Sequence, residues 1–225
     1  MTKFKNDNLI KLSDPKVFKK SFEHMQNYYR RYDAASYLYE EILKKIKNKP
    51  LSDLLKEDRF VELIYATLCA FNMNQRAAKL IEFHQFAKEI RSQKNNIENL
   101  SNYKLISINK NDADDVLNKI KDLFFNLKIM EGRSQIVGIS KTLHFLLPDL
   151  IMPIDRKYTL NFFYGNNQYN QERNREFKTF CEVFKNFHKL VFDLKVTKKK
   201  FNQPIPKIID NAIIGFMNKH VYKIT

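Results

Sequence analysis

Residues that break helices are scarce in this sequence, which has four Gly and six Pro in 225 positions. Folds built from hairpins use both residues freely in their turns, so the scarcity disfavours a β-rich fold. Only two Cys are present, Cys69 and Cys181, too few for a disulfide framework or a cysteine-rich zinc site. We expect both to be buried thiols in a reducing compartment.

Long apolar runs are also missing. No stretch approaches the roughly 18 to 20 consecutive apolar residues of a membrane span, and the first residues, MTKFKNDNLIKLSD, lack the apolar segment of a signal peptide. The glycine patterns of nucleotide-binding loops do not occur, and the five His show no ligand spacing with Cys or acidic residues. These absences predict a soluble, cytoplasmic protein without membrane contact, cofactor or metal.

Core-forming residues and positive charge are abundant. Apolar residues make up 44% of the chain, with 19 Phe and 11 Tyr, enough for a sizeable globular core. The formal net charge of +15 attracts polyanions, of which nucleic acid is the commonest, so we predict DNA as the partner. A host whose proteins are rich in Lys and Asn would produce the same charge without such a partner.

Apolar residues recur at helical spacing through most of the chain and predict an all-α fold. Ser13 or Asp14, followed by Pro15, is a helix start, and Pro50 follows the end of a second helix.

The domain organisation is predicted to be a single unit with two lobes, at about 1–92 and 111–225, that share a cleft. A polar, Asn-rich stretch at 93–110 is the predicted connection between them. Basic runs at 27–32 and 195–200 are additional candidate contacts for DNA.

Two stretches carry most of the functional information. In residues 137–163, VGISKTLHFLLPDLIMPIDRKYTLNFF, a Val-Gly turn precedes a helix with Lys141, and a Pro-Ile-Asp phrase ending at Asp155 opens the next helix. Residues 63–80, LIYATLCAFNMNQRAAKL, combine a Cys-containing helix with a short Asn-rich turn. Together, and in their order along the chain, the two stretches resemble the helix-hairpin-helix DNA glycosylases. They cover about a fifth of the chain, and the stretch at 63–80 is similar to oxoguanine-type members.

The turn before Lys141 differs from the usual hairpin of that family. It has one glycine, Gly138, where the family uses two, and one more residue separates this glycine from the lysine. The separation of Lys141 from Asp155 is also shorter than in most members. The resemblance therefore indicates either a divergent hairpin or one that no longer binds DNA.

The resemblance implies a cleft that Lys141 and Asp155 both face. An amine of lowered pKa would attack the sugar of an everted nucleotide and form a Schiff base, while the carboxylate stabilises positive charge on the sugar. The apolar neighbours of Lys141 predict the partial burial that this needs. The predicted nucleic-acid contacts are Asn72 and Asn74 in the space left by the base, Ser134, Gln135, Gly138, Ser140 and His144 around the turn, and Arg156 and Lys157 after the aspartate.

Ordinary structural interpretations exist for the same residues. A lysine on an apolar helix commonly extends its amine to water, and an aspartate before a helix commonly caps it. Asn72 and Asn74 would equally cap and connect two helices, and His144 would equally be a buried histidine bonded to a carbonyl. Three functions follow: a lysine-dependent glycosylase, a DNA- or RNA-binding protein of this scaffold without catalysis, and a helical protein-interaction module.

Overall fold

The computed structural model describes residues 6–28, 33–74, 79–109, 112–166, 171–197 and 201–223. Most of these residues are helical, and the only β-structure among them is one isolated bridge, so the predicted all-α class is confirmed. The α-helices of the described residues are α1 (Asn6–Leu12), α2 (Pro15–Tyr28), α3 (Ala34–Asn48), α4 (Leu51–Leu54), α5 (Asp58–Ala70), α6 (Phe83–Ser92), α7 (Lys94–Leu100), α8 (Ala113–Asn126), α9 (Ile136–Leu146), α10 (Asn161–Tyr164), α11 (Arg173–Leu194) and α12 (Ile205–His220). A π-helical turn, Arg156–Leu160, leads directly into α10.

Helix starts follow capping residues in the sequence. Asp14 accepts hydrogen bonds from the amides of Lys16 (2.8 Å) and Val17 (3.0 Å), so it caps α2 as predicted. Asp33 caps α3 in the same way, through the amide of Ser36 (2.9 Å). In both cases a side-chain oxygen satisfies first-turn amides that have no partner within the helix.

Apolar residues recur at helical spacing over 75–92, QRAAKLIEFHQFAKEIRS, and predict a helix there that is shorter in the structure. Within the described residues it begins only at Phe83, because the preceding chain is extended: Leu80 forms an antiparallel bridge with Met130. Residues 75–78 lie outside the described part, as do parts of the basic runs at 27–32 and 195–200. Contacts with a segment fifty residues away overrode the helical pattern at 79–82.

The stretch predicted to connect two lobes is itself structured. Helix α7 lies within it and buries Ile97 and Leu100, and a 3-10 turn, Leu105–Ser107, buries Leu105. These residues belong to the continuous hydrophobic core, so the stretch packs as part of the fold rather than as an exposed linker.

The two ends of the chain pack against each other through α2 and α12. Gly215 makes this possible, since a Cβ at that position would lie 1.8 Å from the carbonyl oxygen of Ser21. Helix α9 is buried along its whole length and is contacted by α3, α5 and α11. The central position of α9 places its polar residues inside the molecule. In the described part of the chain, no helix is both long enough and apolar enough to cross a bilayer.

Candidate nucleic-acid site

Lys141 and Asp155 meet in the structure. The Nζ atom of Lys141, in the middle of α9, lies 3.4 Å from Oδ2 of Asp155, which precedes the π-helical turn. The lysine side chain is 10% exposed and the aspartate side chain 23%, so the pair is sheltered and reaches the surface mainly through Asp155. The predicted partial burial of Lys141 and its proximity to Asp155 are therefore confirmed.

The two oxygens of Asp155 have different tasks. Oδ1 accepts hydrogen bonds from the amides of Lys157 (2.8 Å) and Tyr158 (3.3 Å), which is the capping interaction, while Oδ2 faces Lys141. Burial raises the pKa of Asp155, but the Lys141 ammonium and the two amides lower it by more, so the carboxyl ionises below its usual range. The capping and the charge-pairing interpretations of this residue both hold.

Backbone contacts fix the pair in place. The amide of Ile154 donates to the hydroxyl of Ser140 (3.0 Å), and the amide of Asp155 donates to the hydroxyl of Thr159 (3.1 Å). The π-helical turn that follows Asp155 is a rare conformation that occurs frequently at functional sites. The carboxylate is thus held by both preceding and following structure.

The turn after α5 covers Lys141 of the pair with an aromatic ring. Phe71 lies with its ring centre 5.0 Å from Nζ of Lys141, a cation–π contact from the N-terminal half of the chain to the C-terminal half. Asn72 follows in a left-handed conformation (φ 58°), which asparagine tolerates better than most residues, and both Asn72 and Asn74 are exposed. The two stretches of the resemblance are therefore adjacent in space.

A second ion pair, which the sequence patterns did not reveal, lies near the first. Lys207 donates to Asp210 at 2.6 Å on α12, with side chains 20% and 5% exposed. Burial raises the pKa of Asp210, Lys207 lowers it, and the charges of Asp155 and Lys141 also act on it. A lysine and an aspartate three residues apart in an apolar helix were the available signal, since that spacing places both on one face.

The start of α9, predicted to hold a DNA phosphate, is occupied by a carboxylate of the protein itself. Glu176, on α11, is fully buried and accepts hydrogen bonds from the amide of Gln135 (3.0 and 3.2 Å), from the amide of Ile136 and from the hydroxyl of Ser134. Burial raises the pKa of Glu176, and these donors oppose the rise, as does the charge of Arg173. The predicted phosphate contact of Ser134 and Gln135 is corrected accordingly.

Other residues around the turn also serve the interior. The side chain of Gln135 holds the preceding loop through the carbonyls of Met130 (2.9 Å) and Gly132 (2.6 Å). Gly138 is buried, and a Cβ there would lie 2.3 Å from the sulfur of Met130. Ser140 is buried as well, so neither Gly138 nor Ser140 reaches a phosphate in this structure, contrary to the prediction.

His144 is a structural residue. It is 1% exposed; its Nδ1 pairs with the carbonyl of Ile151 and its Nε2 with the hydroxyl of Tyr39, both at 2.7 Å. The carbonyl can only accept, so Nδ1 carries the proton and Nε2 accepts from the phenol. Burial, helped by the nearby charge of Lys207, lowers the pKa of His144 to about 3. The hydrogen bond to the carbonyl of Ile151 acts in the opposite direction but is the weaker effect. The predicted phosphate contact of His144 is wrong, and the buried alternative is confirmed.

Arg156 and Lys157, the two residues that follow Asp155, are exposed. A cavity of about 460 Å³ lies at the C-terminal end of α9, between Leu146, Asp149, Lys49 and Tyr103. A smaller one of about 180 Å³ lies between α1 and α12. Neither cavity is lined by Lys141 or Asp155, so neither is the shared cleft that the resemblance implies.

Free thiols and possible metal ligands occur elsewhere in the described part of the chain. Cys69 and Cys181, expected to be buried thiols, are free and only partly buried, and burial raises the pKa of each. Among the residues that the structure describes, no three His, Cys, Asp or Glu side chains converge as metal ligands. No protein-family model, curated protein or solved structure matches this chain.

Proposed function

We propose that this protein binds DNA and that its Lys141–Asp155 pair acts on a nucleotide turned out of the duplex, as in helix-hairpin-helix glycosylases. The contact between the two side chains carries the proposal. Each comes from a different element, and their 3.4 Å separation suits an amine and a carboxylate that act together on one sugar. The π-helical turn and the adjacent Asn-rich turn add support, as does the net charge of +15.

The chemistry divides between the two groups. Asp155, kept ionised by Lys141 and by two amides, stabilises the positive charge that builds on the sugar as the C1′–N bond breaks. The departing base takes that bond's electron pair and accepts a proton from the Lys141 ammonium. The neutral amine then attacks C1′, and ring opening, with transfer of an amine proton to the ring oxygen, leaves a Schiff base.

The proposal includes a division into two lobes, at about 1–92 and 111–225, with the pair at their junction. Phe71 from the first lobe covers Lys141 from the second, and Tyr39 from the first is bonded to His144 from the second. A nucleotide that displaces Phe71 would enter between the lobes.

A second candidate function is DNA or RNA binding without excision. The capped start of α9 favours it, because Glu176 occupies the place where a hairpin of this family grips a phosphate. A scaffold that has lost this grip retains the exposed Arg156 and Lys157 as its phosphate contacts.

Borohydride trapping separates these functions. The protein is incubated with duplexes that carry oxoguanine, uracil or an abasic site, and a covalent adduct is reduced and resolved by electrophoresis. We expect an adduct that disappears in Lys141→Ala and persists in Lys178→Ala, a matched lysine of α11. Salt-sensitive binding without an adduct supports the second function, and no binding at low salt contradicts both and leaves a protein-interaction module.

A further inference from the structure

An exposed cluster of one lysine and two tyrosines lies beside Asp155, and the excision chemistry does not use it. The Nζ atom of Lys157 is 5.0 Å from the ring centre of Tyr158 and 5.2 Å from that of Tyr222. The two rings meet edge to face with 6.0 Å between their centres. Lys157 is exposed and both tyrosines are partly exposed, so the cluster is accessible to a partner.

The ring of Tyr222 is held in one orientation by its hydroxyl group. The hydroxyl donates to the carbonyl of Lys157 (2.6 Å) and accepts from the side-chain amide of Asn161 (2.8 Å). Because the polar atom is satisfied within the protein, the ring loses little rotational freedom when a partner covers it. A rigid aromatic surface of this kind suits flat, apolar groups.

The cluster is linked directly to the candidate site. The amides of Lys157 and Tyr158 hold the carboxylate of Asp155, so the same two residues orient the carboxylate and carry their side chains to the surface. A nucleotide held at Asp155 would therefore have its neighbours along the strand near these rings. The exposed Arg156 and Lys223 add positive charge nearby in sequence, which suits a phosphate backbone.

We propose that Tyr158 and Tyr222 form a stacking surface for unpaired bases that flank the nucleotide at Asp155, and that Lys157 moves from the rings to a phosphate. The partner is thus single-stranded or locally opened DNA. This inference rests on the proposed function, since it takes the DNA at Asp155 as given. Stacking requires only a flat base, so the surface is expected to tolerate any sequence.

Two oligodeoxynucleotides of equal length test the inference by fluorescence anisotropy at low salt: an oligodeoxyadenylate and a strand of abasic tetrahydrofuran units with the same phosphates. We expect roughly tenfold tighter binding of the adenylate, because only that strand offers bases to stack. Tyr222→Leu should abolish most of the preference, whereas Tyr222→Phe should keep it. Tyr37→Leu, at an exposed tyrosine of α3, is the matched control and should leave the preference unchanged.

Lys157→Gln gives an independent readout. We expect it to weaken both strands equally and to lower the salt dependence of binding by about one counterion, because it removes a phosphate contact and no base contact. Equal affinity of the unmodified protein for the two strands would overturn the stacking surface, and so would a preference that survives in both Tyr158→Leu and Tyr222→Leu. Failure to bind either strand, in a protein that binds the abasic duplex, would also overturn the stacking surface, whereas failure to bind that duplex at low salt contradicts the proposed function itself.

Discussion

Two helix starts in this molecule, that of α9 and that of the π-helical turn after Asp155, are each capped by a carboxylate, and they differ in what that carboxylate leaves open. Glu176 at the first is fully buried, comes from a distant helix and has its oxygens bonded to the start of α9. Asp155 at the second uses one oxygen for capping and turns the other to Lys141, with 23% of its side chain exposed. Both starts were predicted to contact DNA, and only at the second is the capping carboxylate itself partly exposed.

Under the proposed function, this difference separates a cap that only stabilises a helix from one that also takes part in the reaction. A capping carboxylate buried among its donors neutralises a helix end and contributes to stability alone. A capping carboxylate that also pairs with an amine keeps two groups of opposite charge side by side. The proposed excision reaction requires such a pair. Variants at each start should therefore change different properties of the protein.

The largest expected effect is on the stability of the protein and concerns the start of α9. Glu176→Ala leaves the amides of Gln135 and Ile136 without a partner inside the protein, and we expect a loss of about 3 kcal/mol in the free energy of unfolding, measured by urea denaturation. The control is Glu172→Ala, at an exposed glutamate just before α11, the helix that carries Glu176. It should change the free energy of unfolding by less than about 0.5 kcal/mol. Equal effects of the two variants would refute the capping role.

Acid should destabilise the protein through His144, which lies inside the molecule. Its pKa of about 3 lies below the ordinary 6.5, so the folded state resists protonation, and stability is full above pH 6.5 and is lost as the pH falls toward 3. The loss approaches about 1.4 kcal/mol per pH unit. Raised pKa values at Glu176 and Asp210 act in the opposite direction, so the slope is compared between variants.

His144→Gln should flatten this dependence in unfolding experiments between pH 6 and pH 4, whereas His84→Gln, at an exposed position, should not. A slope that is the same in His144→Gln and in the unmodified protein would show that His144 is already charged in the folded state.

At the start of the π-helical turn, two substitutions of Asp155 separate its capping of that turn from its charge pairing with Lys141. Asparagine caps a helix about as well as aspartate but carries no charge, whereas alanine does neither. We expect Asp155→Ala to be about 1 kcal/mol less stable than Asp155→Asn in thermal or urea unfolding, and both to lose adduct formation equally. Adduct formation retained by Asp155→Asn would show that the charge of Asp155 is not needed.

The smallest expected effect concerns the cover of the pair. Phe71→Leu removes the aromatic face above Lys141 and keeps most of the apolar volume, so we expect a cost of about 0.5 to 1 kcal/mol in stability. The rate of trapping should rise in single-turnover reactions, because the nucleotide displaces less. A lower rate would mean that Phe71 contributes to binding the nucleotide instead of blocking it.

Local features of this fold were predictable from the sequence. The caps at Asp14 and Asp155 each depend on amides two and three residues further along the chain, where helix geometry fixes the distances. The closeness of Lys141 to Asp155 was implied by the resemblance alone, because the chain between them leaves α9 and no local spacing fixes that distance. The helical pattern was equally informative, since the scarcity of Gly and Pro leaves few alternatives.

Long-range features were not predictable from one sequence. Glu176 lies 41 residues after the amide that it caps, and the bridge from Leu80 to Met130 spans fifty residues, so neither follows from local spacing. The resemblance suggested a phosphate at the start of α9 because the small residues there fit one. The structure instead uses Gly138 to accommodate Met130, a role that the same residue type satisfies equally well.

The most direct test is to map the reduced adduct. The protein is trapped on an abasic duplex with borohydride, digested, and the modified peptide is sequenced by mass spectrometry. Among the 31 lysines of the chain, we predict that the sugar is attached to Lys141, in the unmodified protein and in the Glu176→Gln variant alike. Attachment to another residue, or no adduct in a protein that binds the duplex, would contradict the assignment of the Lys141–Asp155 pair as the reactive centre.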